Sequence, residues 1–68
     1  QPQSLRDVSV SLDNVGQVEM ARGNLGGARK QFEESLRILA GLERDGRLFP
    51  EWRRDIAWVK QQLARLGA

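Results

Sequence analysis

The chain contains no cysteine and no histidine. Without cysteine there is no disulfide staple and no thiolate metal site. Without histidine, the Ser–His and Cys–His nucleophile pairs are excluded, and only carboxylates remain as ligands for a hard cation. β-branched residues are few, which disfavours strands. No apolar run approaches the ~18 residues that would span a bilayer. No signal sequence is visible, so the expectation is a soluble, intracellular, cytoplasmic piece with no membrane partner. Charge of one sign is also scarce, the formal net charge being only +2. Residues 1–46 carry six basic and seven acidic side chains, and residues 47–68 carry five basic and two acidic. A basic end can meet phosphate or an acidic partner. Here Arg47, Arg53, Arg54, Lys60 and Arg65 spread around a helix instead of forming one stripe, so nucleic acid is not an expected partner.

What remains is helical material. Leu, Ala, Arg, Glu and Gln dominate, and these suit an all-α chain. At 68 residues the chain is one small domain, 1–68, whose core supplies no more than ~3–5 kcal/mol. Ser4-Leu5-Arg6-Asp7 fits a capping box and starts a first helix over about 5–22, with Leu5, Val8, Leu12 and Val15 as its buried stripe. A second helix is predicted over about 25–44, with Leu25, Ala28, Phe32, Leu36 and Leu39 facing inward and Ile38 and Leu42 flanking. Asp45-Gly46 stops it. Pro50 suits the first position of a third helix over about 50–66. Its stripe is Phe49, Trp52, Ile56, Val59, Leu63 and Leu66. Glu33 and Glu34 do not make an acid/base pair, since adjacent helical residues point ~100° apart. Gly26-Gly27 lacks the Lys and Ser/Thr that complete a phosphate loop. No enzyme, cofactor or metal site is expected.

The first two helices carry the strongest pattern. Leu12, Val15 and Glu19 share one face, and Gly16 lies on it without a side chain. A helical Gly costs roughly 1 kcal/mol against Ala, which makes sense where a second backbone comes close. Ala28 is the matching small residue on the second helix, and Phe32 fills the space one turn on. Gly23 ends the first helix in the left-handed conformation, and Asn24 caps the second. So short a connection makes the two helices antiparallel neighbours.

These residues resemble the tetratricopeptide repeat, with its W-x2-L-G-x2-Y, Ala, Phe and Pro pattern. Leu12 stands at the Trp position, Val15 at the Leu, Gly16 at the Gly, Ala28 at the Ala and Phe32 at the Phe. Three positions depart from the pattern. Glu19 stands where an aromatic is usual, Ser35 stands where Ala is usual, and Pro50 comes late. The resemblance covers residues 12–36 and implies a hairpin of a right-handed α-solenoid. A shift of 48 residues lays Arg6-Asp7-Val8 on Arg54-Asp55-Ile56 and Val15-Gly16 on Leu63-Ala64. The family period is about 34, so the chain is similar to long-period repeats of large bacterial multidomain proteins. Lys60 then replaces Leu12, and helix three reads as a polar-backed capping helix.

The resemblance implies a scaffold for protein–protein interaction, with a concave groove lined by Val10, Asp13, Gln17 and Met20 on the first helix. On the third helix it implies Trp58, Gln61 and Arg65. Trp58 lies off the core stripe beside Arg65, a composition found at interface hot spots. The alternative for Trp58 is partial burial against the first helix. The expected partner is a protein or peptide. The alternative function is a structural fragment of a longer array that self-associates as a homo-oligomer or helix-swapped dimer.

Overall fold

In the computed structural model, residues 5–47 and 49–67 are described. The proposed Ser4 cap lies outside them. The described chain is all-α: α1 (Leu5–Ala21), α2 (Leu25–Arg44), a single 3-10 turn (Pro50–Trp52) and α3 (Arg53–Arg65). The third helix therefore begins differently from the sequence expectation. Pro50 sets the entry, but the first turn is 3-10, and Trp52 is the residue at which α-helical hydrogen bonding takes over. No helix among the described residues is long and apolar enough to cross a membrane.

The turn between α1 and α2 is set by local chemistry. Gly23 takes φ +83°, and its N–H donates to the Met20 carbonyl while Asn24 N–H donates to Glu19, at 3.0 and 2.9 Å. This pair of bonds is a Schellman motif, which pairs carbonyls that the helix end would otherwise leave open. Asn24 Oδ1 then accepts from Gly27 N–H at 3.1 Å and caps α2. The same residue donates through Nδ2 to Glu19, and Arg22 lies 3.8 Å from that carboxylate. Glu19, out of place for the resembled repeat, is thus part of the turn. Gly46 repeats the helix stop at the end of α2, with Arg47 N–H reaching Leu42 O at 2.8 Å.

The core is centred on α2. Ala28, Phe32 and Leu39 have no exposure, Leu42 is buried beside them, and Val59 and Leu66 come in from α3. Met20, Leu36, Ile38, Ile56, Trp58 and Leu63 surround this group half-buried. α2 packs on α1 over a long contact and on α3 over a shorter one, whereas α1 and α3 make little approach to each other. Arg29, near the start of α2, donates to Leu66 O and Gly67 O at 3.0 and 3.1 Å. The guanidinium thereby satisfies carbonyls at the negative end of α3. Arg6 and Asp55, each near the start of its helix, pair at 3.2 Å. These two ties orient the bundle: α2 runs against α3, and α1 and α3 run the same way.

The inward face of α1 is not the expected one. Its buried residues are Ser9, Asp13 and Gly16. Leu5 is 47% exposed and Val15 46%, so two members of the proposed stripe lie open, and Val8 and Leu12 are half-buried. On α2, Leu25 is exposed rather than inward, and Phe49 before α3 is exposed as well. The physical reason is at Gly16. A Cβ there would stand 2.8–3.0 Å from three atoms of the Phe32 ring. Phe32 meets α1 where the helix has no side chain, and that rotates the small residues inward and the valines outward. The close approach expected of Gly16 is therefore made by the Phe32 ring, with Ala28 buried one turn away.

Candidate functional site

With α1 and α3 running in the same direction on α2, their C-terminal halves form the walls of an open cleft of about 380 Å³. Gln17, Met20 and Ala21 line it from α1, and Gln62 and Arg65 from α3. Three of the groove residues expected from sequence, Gln17, Met20 and Arg65, are brought together here. Gln17 and Arg65 are exposed, and Met20 is half-buried against the core. Val10, half-buried, and Gln61, exposed, do not line the cleft.

Asp13 and Trp58 are turned inward instead. Asp13 is only 8% exposed, and its Oδ1 has no hydrogen-bond partner among the described residues. Burial pushes its carboxyl above the ordinary 3.8. The Ser35 hydroxyl and Arg6 pull the other way, and Asp55 adds to the rise. Ser35 Oγ donates to the Ser9 carbonyl at 3.2 Å, and Ser9 Oγ is itself buried without a partner among the described residues. Ser9, Asp13 and Ser35 thus make a polar seam where the sequence pattern suggested apolar contact. A small side chain at each position lets α1 and α2 approach, and the unpaired oxygens oppose the gain in packing.

Trp58 packs edge-on against Phe32, with ring centroids 5.7 Å apart and planes at 72°. It is half-buried, the ring it packs on belongs to α2, and it supports that ring where it fills the Gly16 gap. Trp52 is likewise half-buried. Phe49 lies against it at 4.7 Å and the Arg6 guanidinium sits 5.4 Å from its ring centre. This aromatic corner steadies the Arg6–Asp55 tie through a cation–π contact.

The residue that sequence reasoning missed is Gln62. It is 7% exposed, yet it lines the cleft, and its side chain has no hydrogen bond to any described residue. The available signal was its spacing. It lies three residues after Val59 and four before Leu66, on the inner arc of α3. Among the described residues, no group of three or more acidic side chains comes together in a way that could hold a metal.

Set beside protein-family models, curated protein sequences and solved structures, the chain matches none of them.

Proposed function

We propose that this chain is a protein–protein interaction module, a tetratricopeptide-like scaffold that holds a peptide or protein segment in the cleft between α1 and α3. The observation that carries the reading is the cleft itself. Two helices running the same way are held on a common α2, and the space between them carries amides, a thioether and a guanidinium. Such a mix of adaptable polar groups and a soft apolar side chain suits recognition of a chain segment. It offers no nucleophile–base pair, so binding and not catalysis is the proposed role. The test is selection of displayed random linear peptides against the intact chain, followed by calorimetry on the synthetic winners. Saturable one-to-one binding supports the reading. Failure to enrich any sequence overturns it.

A second reading has its own observation. Val15 and Val18 are 46% and 54% exposed and lie on one flank of α1. In the 48-residue correspondence, Val8, Val15 and Val18 match Ile56, Leu63 and Leu66, members of the α3 set packed in and around the core. The open flank of α1 suits a further repeat helix, which makes the chain a structural or self-associating fragment of an array. Sedimentation across a concentration series tests this. A mass that rises with concentration and reverts in Val18→Glu favours association, and a constant monomer mass rejects self-association.

A further inference from the structure

The seam between α1 and α2 is short of one hydrogen-bond donor. Its polar side chains are Ser9, Asp13 and Ser35; both serines have no exposure, and Asp13 is 8% exposed. Ser35 Oγ carries one hydrogen and faces two acceptors, the Ser9 carbonyl at 3.2 Å and the Asp13 carboxylate. With Asp13 ionised, that hydrogen serves only one of them. Ser9 supplies no second donor, since its Oγ bonds to no described residue, and Asp13 Oδ1 is left bare. A buried contact pays for such a deficit in stability. One added proton removes it. A neutral carboxyl donates to Ser35 Oγ, and Ser35 keeps its bond to the Ser9 carbonyl.

No neighbouring charge takes the place of that proton. From α1, Arg6 faces Asp13; from α3, Asp55 faces it; α2 presents the uncharged Ser35 hydroxyl. Arg6 pairs with Asp55 at 3.2 Å and lies against the Trp52 ring, so its charge is offset by its own partner. The seam is also the main attachment of α1. That helix packs chiefly on α2, and its buried residues are Ser9, Asp13 and Gly16.

We propose that Asp13 is a proton-operated latch: its neutral carboxyl donates to Ser35 and closes α1 onto α2, and its ionisation eases that contact. Burial acts in the same direction and holds the carboxyl above 3.8. The folded chain therefore binds this proton more tightly than the unfolded one, and the latch releases as pH rises through the folded value. Gln17 and Met20 follow Asp13 on α1 by one and two turns and line the cleft, so the same proton steadies that wall. The latch needs no occupant in the cleft.

The test is NMR on the full chain. The Asp13 carboxyl carbon is followed against pH, together with the protection of the α1 amides, corrected for their intrinsic exchange rates. The expected result is an Asp13 midpoint above 3.8, with α1 protection falling about fivefold as pH rises through it, the scale of one net hydrogen bond. Asp13→Asn, whose amide donates at every pH, is expected to hold α1 protected throughout. Ser35→Ala then separates the hydrogen bond from simple loss of charge. In that background the gain from Asp13→Asn is expected to shrink, because the receiving oxygen is gone. An equal gain with and without the Ser35 oxygen overturns the latch. So does an Asp13 midpoint at or below 3.8, or α1 protection that does not follow it. Both of these are read in the unaltered chain and stand even if Ser35→Ala does not fold.

Discussion

α1 and α3 are related by a 48-residue shift and both lie on α2, yet they meet it with different faces. α3 buries Val59 and Gln62, with Leu66 at its C-cap, and keeps Ile56 and Leu63 half-covered, which is an apolar stripe interrupted by one amide. α1 buries Ser9, Asp13 and Gly16 and leaves Val15 and Val18 open. The 48-residue partners of Ser9 and Gly16 are Ala57 and Ala64, and both are exposed on α3. One helix therefore uses its small-residue face and the other its apolar face against the same neighbour. The lesson is that a helix with two adjacent candidate faces is placed by the shape of what it meets. Phe32 needs a gap, Gly16 provides one, and the valines go where the remaining rotation puts them.

The sharpest way to break this contrast is to give both small positions the same bulk. Gly16→Leu is expected to cost about 3 kcal/mol or more, because the added side chain meets a fully buried Phe32 ring backed by Trp58. Set against a core worth ~3–5 kcal/mol, that leaves the chain largely unfolded at ambient temperature. Ala64→Leu, its equivalent on α3, is expected to change stability by no more than about 0.5 kcal/mol. Urea denaturation of the two variants measures the difference. Equal losses would mean that α1 and α3 face α2 in the same way.

The next effect lies on the apolar side. Val59→Ala removes two buried methyls from a residue with no exposure and should cost about 2 kcal/mol. Ser11, its equivalent on α1, is exposed, and Ser11→Ala should be neutral or slightly stabilising through helix propensity, by at most about 0.5 kcal/mol. A Ser11→Ala loss comparable to that of Val59→Ala would put the open flank of α1 under cover.

Asp13 sharpens the comparison electrostatically, since its counterpart Gln61 is exposed and uncharged. Burial raises the Asp13 carboxyl above 3.8 in the folded chain. The folded state therefore binds the proton more tightly than the unfolded state. The stabilisation this gives is fully present below the unfolded value and is lost as pH rises through the raised folded one. Asp13→Asn removes that dependence. At neutral pH it is expected to raise the thermal midpoint by about 4 °C, the equivalent of roughly 0.5–1 kcal/mol. Melting curves between about pH 3 and pH 7 check the sign. An unaltered pH slope in Asp13→Asn would place the carboxylate in solvent.

The smallest effect is on the exposed valines. Val15→Lys is expected to shift stability by no more than about 0.5 kcal/mol, as for a surface position. If the open flank is an association surface, the same substitution lowers the mass seen in sedimentation without altering the melting curve of the monomer.

Much of this architecture was legible in the residues because it is set by short-range chemistry. Gly23 and Gly46 stop helices where a left-handed residue pairs the last carbonyls, and Asn24 caps with its own oxygen. The end of α1 and both bounds of α2 follow from these local bonds. Gly16 could be read as a point of close approach, since a helical glycine without such a reason is a plain cost. Of the cleft, Gln17, Met20 and Arg65 were accessible to pattern and resemblance. Gln62 was not read as part of it, because a glutamine on an inner arc carries no apolar signal, and only its burial at the wall of the cleft gives it meaning. Trp58 and Asp13 sit at angles where helical geometry alone allows either a groove or a seam.

The sequence by itself determined that there are three helices, where the first ends and the second begins and ends, and that the first pair turns back as a hairpin, because each depends on bonds spanning no more than a few residues. The tertiary structure decided which face of α1 turns inward, whether Trp58 supports the core or borders a groove, and which side chains meet across the cleft. Periodicity fixes which residues share a face. It does not fix the rotation of that face about the helix axis, and here the rotation is set by one aromatic ring closing against a helix at its single missing side chain.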